Sequence, residues 1–275
     1  MLQIINTKAI EDKTVLVRVD YNVPLVRKNS NWKVADDNRI QASLESLKFL
    51  QKNHAKVILI SHLGRPKGKE NKDLSLEPVA KHLEKLLDSE VTFIPNHNFD
   101  VIKDKVDQTK AVSVTLLENL RFAPGEEDND KTFAKQLASL AEVYINEAFS
   151  TAHRAHASVV GIPAHLPSYA GFAFAKEVEM LGKLMDDPKR PFVMIVGGSK
   201  ISDKVDAVRN LAKVADAILV GGGTANNFLK AEGIAIQKSL VEDKSSDKKK
   251  RTINYVEVAE EMIEETRNSK MILDD

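Results

Sequence analysis

The sequence contains no cysteine among its 275 residues. This absence excludes disulfide bonds, thiolate nucleophiles and the zinc or iron-sulfur sites that are built on cysteine. It fits a reducing compartment, and we expect a cytoplasmic protein. An excess of one charge is also lacking, because 40 Lys and Arg residues balance 40 Asp and Glu residues. No overall field attracts nucleic acid or anionic lipid, so any anion-binding site must be local.

Long apolar runs are absent as well. Runs such as residues 57–60 and 217–220 are far shorter than the roughly 20 residues that a membrane-spanning helix needs. The first residues, MLQIINTKAIEDKT, mix charged with apolar side chains, so we expect no secretory signal peptide. Apolar residues make up 43% of the chain and charged residues 29%, which is typical of a folded globular protein.

Short apolar runs alternate along the chain with longer amphipathic stretches. The runs predict strands at residues 15–19, 57–60, 91–94, 112–117, 143–145, 192–196 and 217–220. Apolar residues three and four apart predict helices at residues 38–51, 76–87, 131–140, 203–214 and 255–267. Such alternation indicates an α/β fold with parallel sheets, whose strands are buried on both faces.

The chain is long enough for two domains. Pro and Gly concentrate in IPAHLPSYAG, residues 162–171, and a helix-like stretch follows it up to Pro188. We therefore predict one domain over residues 1–170, and a second over residues 171–275 that begins with a linker helix. The charged stretch of residues 242–251 is interpreted as a solvated loop or helix start.

Polar groups follow four of the predicted strands, where an open α/β sheet binds its ligands. These strand ends carry Asp20 and Asn22, His62 and Arg65, Arg121, and Arg154. Arg39, at a predicted helix start, adds a fourth arginine. Arginine gives bidentate hydrogen bonds to oxyanions and keeps its charge, so this convergence indicates a small ligand with several negative charges, such as a phosphate or carboxylate.

Two other interpretations of these residues stay open. Any one of the arginines could simply pair with a nearby surface carboxylate. His62, His153 and His156 could form a metal site, but the last two are three residues apart and no third ligand is obvious.

Glycine turns follow the predicted strands of the second half. Gly197 and Gly198 lead through Lys200 to Lys204, and Gly221 and Gly222 begin the next turn. Such turns let a backbone approach phosphate or an adenine ring, and a helix start with lysines adds positive potential. Neither a G-x-x-x-x-G-K-[ST] loop nor a G-x-G-x-x-G fingerprint occurs, and tight turns in any α/β protein use glycine.

Ordered motifs over nearly the whole chain resemble phosphoglycerate kinase. They are VRVDYNVP, NRI, SHLGRP, LLENLRF followed after one residue by PGEE, NEAFSTAHRAHASVVGI, LPSYAG, GGSKISDK, GGGTANNFLK and KSLVE. The resemblance implies two Rossmann-like lobes, of which the first binds 3-phosphoglycerate or 1,3-bisphosphoglycerate and the second binds ADP or ATP with Mg²⁺. It implies a monomeric cytoplasmic kinase of glycolysis that has no nucleic acid or membrane partner.

The resemblance also implies roles for individual residues. Asp20 and Asn22 would hold the carboxyl and hydroxyl end of the substrate. Arg39, Lys200 and Lys204 would be catalytic and offset charge on the moving phosphoryl group. The substrate phosphate would be held by His62, Arg65, Arg121 and Arg154. The adenosine pocket would include Gly197, Gly198, Gly221, Gly222 and Leu240, and no residue is assigned as a metal ligand.

The chain departs from the common spelling of this family at Ser199, Glu147, Ser150, Thr224, Asn226 and Asn227. The family also continues beyond Asp275, so we expect an incomplete second lobe that lacks the ribose-binding glutamate, a glycine-rich loop and the magnesium-ligating aspartate. The leading hypothesis is the kinase. The alternative is a fragment that binds 3-phosphoglycerate without turnover, and nucleic-acid binding ranks third because the net charge is zero.

Overall fold

The computed structural model describes residues 2–29, 31–110, 112–243 and 253–265, and the backbone of residues 270–273. Contacts between residues divide the chain into two compact units, Met1–Glu179 (unit 1) and Met180–Asp275 (unit 2). Each unit has its own sheet and its own core, and each is described separately below.

Unit 1 is built from short strands and amphipathic helices in alternation. Its strands are β1 (Thr14–Arg18), β2 (Leu25–Lys28), β3 (Asn31–Val34), β4 (Lys56–Ile60), β5 (Val91–Ile94), β6 (Val114–Leu117), β7 (Val143–Asn146) and β8 (Ser168–Ala170). Its helices are α1 (Thr7–Ile10), α2 (Asn38–Lys52), α3 (Glu77–Leu87), α4 (Phe99–Gln108), α5 (Pro124–Glu127) and α6 (Lys131–Ala138), and α7 (Phe172–Asp186) begins in unit 1. A π-helical turn covers Ala157–Gly161.

In the described part of unit 1, six strands form a parallel sheet in the order β5-β6-β4-β1-β7-β8. β1 lies in its centre, where Val15 pairs with Val57 on one side and with Val143 on the other. β1, β4 and β6 are almost entirely buried. The prediction of an α/β fold with a parallel sheet buried on both faces is confirmed here.

The two faces of this sheet pack against different helices. Val15 and Val17 of β1 belong to a core that also contains Leu47 of α2 and Leu83 of α3. Leu16 points to the opposite face, whose core includes residues of α4 and α6. This alternation along one strand is what a sheet covered by helices on both sides requires.

Unit 2 contains a smaller parallel sheet in the order β11-β10-β9. Its elements are β9 (Val193–Gly197), α8 (Val205–Ala212), β10 (Ala217–Gly221), α9 (Gly222–Ala231), α10 (Tyr255–Glu265) and β11 (Lys270–Leu273). Met194, Ile218 and Phe228 lie in its core. Val193 and Ile195 of β9 are exposed, at 45% and 78%, so the expectation that every strand is buried on both faces is wrong for β9.

Several predicted elements differ from the observed ones. The β2–β3 hairpin and α4 were not predicted, and the Pro- and Gly-rich stretch of residues 162–171 contains β8, which pairs with β7. Residues 244–251 and Arg267 lie outside the described residues. Among the described helices, none combines the length and apolar character that crossing a membrane demands.

Candidate functional site

The carboxyl ends of β6, β4, β1 and β7 lie side by side because these strands are neighbours in the larger sheet. The loops after them carry the polar residues singled out from the sequence. Parallel strands deliver such loops to one edge, which is where open α/β sheets bind ligands. The contacts of these residues within unit 1 fall into three groups, around Asp20, Gly64 and His62.

Asp20 links the loop after β1 to the start of α2. Its Oδ2 atom lies 2.6 Å from NH1 of Arg39 and accepts a hydrogen bond from Ser150 Oγ at 2.5 Å. The Arg39 side chain is 50% exposed, whereas that of Asp20 is 12% exposed. Asp20 is therefore held from two sides, and Arg39 keeps part of its guanidinium open to solvent.

Gly64 ties together the loops after β1, β4 and β6. Its N–H donates to Asn22 Oδ1 at 2.9 Å, and its carbonyl accepts from Arg121 NH1 at 2.8 Å. Gly64 has a φ of +65°, and an added Cβ would lie 2.8 Å from Leu74 Cδ2, so the backbone and the packing both favour glycine here. Arg65 follows directly and is exposed.

His62 is 4% exposed and lies beside a buried cation. Its Nδ1 atom is 2.9 Å from NH2 of Arg18, which is itself 1% exposed. Burial, together with the positive charges of Arg18, Arg121 and Arg154, lowers the pKa of His62 to about 2. The ring is therefore neutral at physiological pH, with a hydrogen on only one of its two nitrogen atoms.

Arg18 is connected to a buried carboxylate through a serine. Its Nε donates to Ser158 Oγ at 3.0 Å, and Ser158 Oγ donates to Oε1 of the fully buried Glu126 at 2.6 Å. The Ser158 N–H also donates to Glu126 Oε2 at 2.9 Å, and Tyr144 Oη donates to the Ser158 carbonyl at 2.6 Å. Ser158 is thus fixed at four points in the π-helical turn.

Arg154 and the two neighbouring histidines complete the edge. Arg154 is half-buried and close enough that its charge lowers the pKa of His62, after the effects of burial, Arg18 and Arg121. His156 Nδ1 lies 3.8 Å from Glu126 Oε1, and burial lowers its pKa. In the part of the chain that the structure describes, no three His, Asp or Glu residues are grouped as metal ligands.

Glu147 follows β7 but binds the start of α7 instead of facing the arginines. Its Oε1 accepts from Ser46 Oγ at 2.7 Å and from the Ala173 N–H at 3.1 Å, and Oε2 accepts from the Phe174 N–H at 3.5 Å. A carboxylate at a helix N-terminus satisfies N–H groups that have no partner inside the helix. Burial nonetheless raises the pKa of Glu147 to about 7.

In unit 2, two glycine turns meet at the carboxyl edge of the smaller sheet. Gly197 pairs in register with Gly221. Gly198 and Gly222 both have positive φ, at +153° and +64°, and a Cβ on Gly223 would lie 2.8 Å from the Ser199 carbonyl oxygen. A Cβ on Gly221, in contrast, would meet no described heavy atom within 4 Å. Close packing explains Gly223, and open space adjoins Gly221.

The predicted lysines lie beside these turns. Lys200 is exposed, and Lys204 is half-buried immediately before α8, with its Cε 3.7 Å from where a Gly198 Cβ would lie. Leu240 is 63% exposed, and its carbonyl accepts from Asn226 Nδ2 at 2.8 Å. Lys204 thus brings an ammonium group close to the Gly198 turn, where it suits a phosphate oxygen.

Three residues of this arrangement were missed by the sequence analysis: Arg18, Glu126 and Ser158. Arg18 carried a usable signal, because it is a charged residue within an otherwise apolar central strand and precedes Asp20 by two positions. Glu126 and Ser158 lie within motifs shared with the family, but their residue types did not mark them, since an acidic residue in a turn and a serine in a loop are ordinary surface features.

The structure defines an α/β protein whose larger sheet has an arginine-rich carboxyl edge and whose smaller sheet ends in glycine turns. Comparisons with known proteins narrow this class. The profile of the family described as "Phosphoglycerate kinase" matches residues 5–274. The chain belongs to the phosphoglycerate kinase family.

Individual relatives agree with this assignment. The phosphoglycerate kinase of Moorella thermoacetica is 51% identical over 234 residues, which cover 85% of this chain and 58% of the relative. That of Finegoldia magna is 42% identical over 97% of this chain and 70% of the relative. The solved structure of phosphoglycerate kinase from Coxiella burnetii has a TM-score of 0.78 at 36% identity, covering 96% of this chain and 64% of that one.

The structure of the enzyme from Pyrococcus horikoshii is similar, with a TM-score of 0.80 at 31% identity over 96% of this chain and 65% of that one. The chain spans less than two thirds of the length of most of the relatives named here.

Proposed function

We propose that this chain takes part in reversible phosphoryl transfer from 1,3-bisphosphoglycerate to ADP, giving 3-phosphoglycerate and ATP. Residues 1–170 would bind the phosphoglycerate, and residues 171–275 would supply a linker helix and part of the nucleotide site. The protein would act as a cytoplasmic monomer. Membership of the phosphoglycerate kinase family supports the reaction, and the cluster of Arg18, Arg121 and Arg154 around the neutral His62 is the observation that carries the substrate site.

The chemistry assigned to these residues is positioning and charge compensation. In phosphoryl transfer the oxygen of ADP attacks the phosphorus while the acyl oxygen leaves, so no covalent enzyme intermediate is needed. Asp20 and Asn22 would orient the glycerate end. The phosphate would be bound by His62, Arg65, Arg121 and Arg154. Arg39, Lys200 and Lys204 would offset charge on the transferred group.

Beside the glycine turns, the described neighbours are Lys204, Thr224 and backbone carbonyl groups, and no three His, Asp or Glu residues are grouped as metal ligands in the described part of the chain. Mg²⁺ would accompany ADP or ATP, bound by the phosphates of the nucleotide. The nucleotide would approach the backbone closely at four glycines, Gly197, Gly198, Gly221 and Gly222. Leu240 offers an exposed apolar side chain for the adenosine.

Titration calorimetry with 3-phosphoglycerate and, separately, with Mg-ADP tests the proposal. We expect saturable binding of 3-phosphoglycerate that weakens at least about tenfold in Arg65→Ala, since a hydrogen bond to a charged group contributes about 1.5–3 kcal/mol. Arg27→Ala is the matched control, because Arg27 is an exposed arginine on the β2–β3 hairpin. Failure of both ligands to bind would refute the function for this chain.

Turnover separates the kinase from a binding protein that shares its substrate site. A coupled assay for ATP formation would be run with this chain alone and with the remaining sequence of a longer relative added as a second polypeptide. Binding of 3-phosphoglycerate without ATP formation in either mixture would favour the binding protein.

A further inference from the structure

The hydrogen bond between Arg18 and His62 has only one possible direction. A guanidinium group has five N–H donors and no acceptor, so the His62 Nδ1 atom, 2.9 Å from Arg18 NH2, must accept. A neutral imidazole that accepts on Nδ1 carries its hydrogen on Nε2. No described residue accepts that Nε2 hydrogen, while the ring lies at the ligand edge of the sheet.

Arg18 is held beside His62, because its two other nitrogen atoms each donate a hydrogen bond as well. Its Nε donates to Ser158 Oγ and its NH1 donates to the Val19 carbonyl. Since Ser158 Oγ donates onward to Glu126, the serine accepts from the cation and donates to the anion. The buried charge of Arg18 is thereby linked to the buried carboxylate of Glu126, as a charge in this environment requires.

Ser158 itself cannot rotate freely. Its N–H is bound to Glu126 and its carbonyl to Tyr144, so the π-helical turn presents the hydroxyl in one place. π-helical turns are rare and recur at functional sites. The chain of contacts from Glu126 through Ser158 and Arg18 to His62 is continuous and, apart from His62, lies outside the set of residues assigned to the ligands.

We propose that Arg18, held by Ser158 and Glu126, is a positioning residue that fixes His62 as the tautomer protonated on Nε2, so that the ring donates one hydrogen bond to the phosphate of the ligand. This inference rests on the proposed function for the identity of the ligand. The site then uses a neutral donor beside its arginines, and the contribution of His62 to binding does not change with pH near neutrality.

Long-range ¹H–¹⁵N correlation spectra of the ¹⁵N-histidine-labelled chain test the tautomer directly. The signals of His62 are identified by their loss in His62→Gln. From about pH 5 to about pH 8, the range in which an ordinary histidine titrates, we expect a single species with a protonated Nε2 and an unprotonated Nδ1. A ring protonated on Nδ1, or one that titrates in this range, would overturn the proposal.

Ser158→Ala removes the serine hydroxyl between Arg18 and Glu126. We expect a second His62 tautomer or a titrating ring in this variant, and an affinity for 3-phosphoglycerate that falls about tenfold and varies with pH. Ser43→Ala is the control, because Ser43 is a buried serine of α2 that is hydrogen-bonded to Tyr21. An unchanged His62 in Ser158→Ala would count against the positioning role, and the wild-type spectrum still decides the tautomer if that variant does not fold.

Addition of 3-phosphoglycerate to the wild type tests the donated hydrogen bond. We expect the Nε2 and Hε2 signals to shift as the ligand saturates, and saturation without a shift would contradict donation from His62. Absence of saturation together with a fixed tautomer would refute the proposed substrate while supporting the role of Arg18, so the two proposals can fail separately.

Discussion

Arg39 and Asp20 form an ion pair across the ligand edge of unit 1, with 2.6 Å between NH1 and Oδ2. Ser150 Oγ donates to the same carboxylate oxygen. The pair satisfies Arg39 in the absence of ligand, yet half of the Arg39 side chain stays exposed. Arg39 can therefore reach an anion without a buried group losing its partner.

Arg39→Ala separates binding from stability. Because an exposed ion pair contributes less than about 1 kcal/mol, the free energy of unfolding should change little. Affinity for 3-phosphoglycerate should fall about tenfold or more, since a charged hydrogen bond to the ligand is lost. Calorimetry and urea unfolding followed by the fluorescence of Trp32, the single tryptophan, measure both quantities.

The control for Arg39→Ala is again Arg27→Ala, which removes an exposed arginine away from this edge and should leave both quantities unchanged. A loss of several kcal/mol of stability in Arg39→Ala would mean that the ion pair is structural.

Glu147 should make unit 1 less stable as the pH rises. Its pKa is raised from 4.5 to about 7, so the folded state holds a proton that the unfolded state releases between these values. The contribution of Glu147 to the free energy of unfolding is therefore fully present below about pH 4.5. It falls by on the order of 3 kcal/mol up to about pH 7 and is constant above that pH. Urea unfolding monitored by Trp32 at several pH values measures this fall.

Glu147→Gln removes the ionisation but keeps an oxygen for Ser46 and the start of α7. The difference in unfolding free energy between the variant and the wild type should shift in favour of the variant across this window. Glu45, whose charge also raises the pKa of Glu147, is present in both proteins. A difference that is independent of pH would show that Glu147 ionises normally.

Gly171→Ala should destabilise unit 1 by more than about 2 kcal/mol, because the new Cβ would lie 1.7 Å from Glu147 Oε2 and must displace this carboxyl from α7. Gly182→Ala offers the contrast within α7, where a Cβ meets no described atom within 4 Å. It should be neutral or stabilising by up to about 1 kcal/mol, since alanine favours the helix. Urea unfolding compares the two, and equal losses would contradict this account.

Gly223 and Gly221 of unit 2 should respond differently to substitution by alanine. Gly223→Ala forces a Cβ to 2.8 Å from the Ser199 carbonyl oxygen, so it should loosen the contact between α9 and the loop after β9. Gly221→Ala enters open space, so it should leave the fold intact and weaken Mg-ADP binding. Hydrogen exchange of unit 2 peptides and calorimetry measure these effects, and unaltered nucleotide binding in Gly221→Ala would place the ligand elsewhere.

The sequence predicted the central strands to within two residues because β1, β4, β6 and β7 are apolar on both faces. It missed the β2–β3 hairpin because Val26, Arg27 and Lys28 are exposed and follow no apolar alternation. It missed β8 because proline and glycine surround a strand of only three residues. Periodicity detects burial, and these elements are held by strand pairing instead.

The same reason separates the site residues that the sequence identified from those that it missed. Asp20, Asn22, His62 and Arg121 stood out because they follow apolar runs, and the structure brings their loops to one edge. The partners of His62 did not stand out, because Ser158 is 140 positions from Arg18 along the chain and Glu126 is 32 from Ser158. Spacing along a sequence carries no information about hydrogen bonds over such separations.

The central place of β1 has a consequence for how the chain is made. β1 leaves the ribosome first among the strands of the larger sheet, yet its partner Val143 comes far later, and the Ile5 N–H donates to the Ala170 carbonyl at 3.0 Å. β1 can therefore pair with strands on both sides only after almost all of unit 1 has been synthesised. Because pairing between distant parts of a chain slows folding, we expect this unit to fold late in synthesis and its nascent chains to need protection from aggregation.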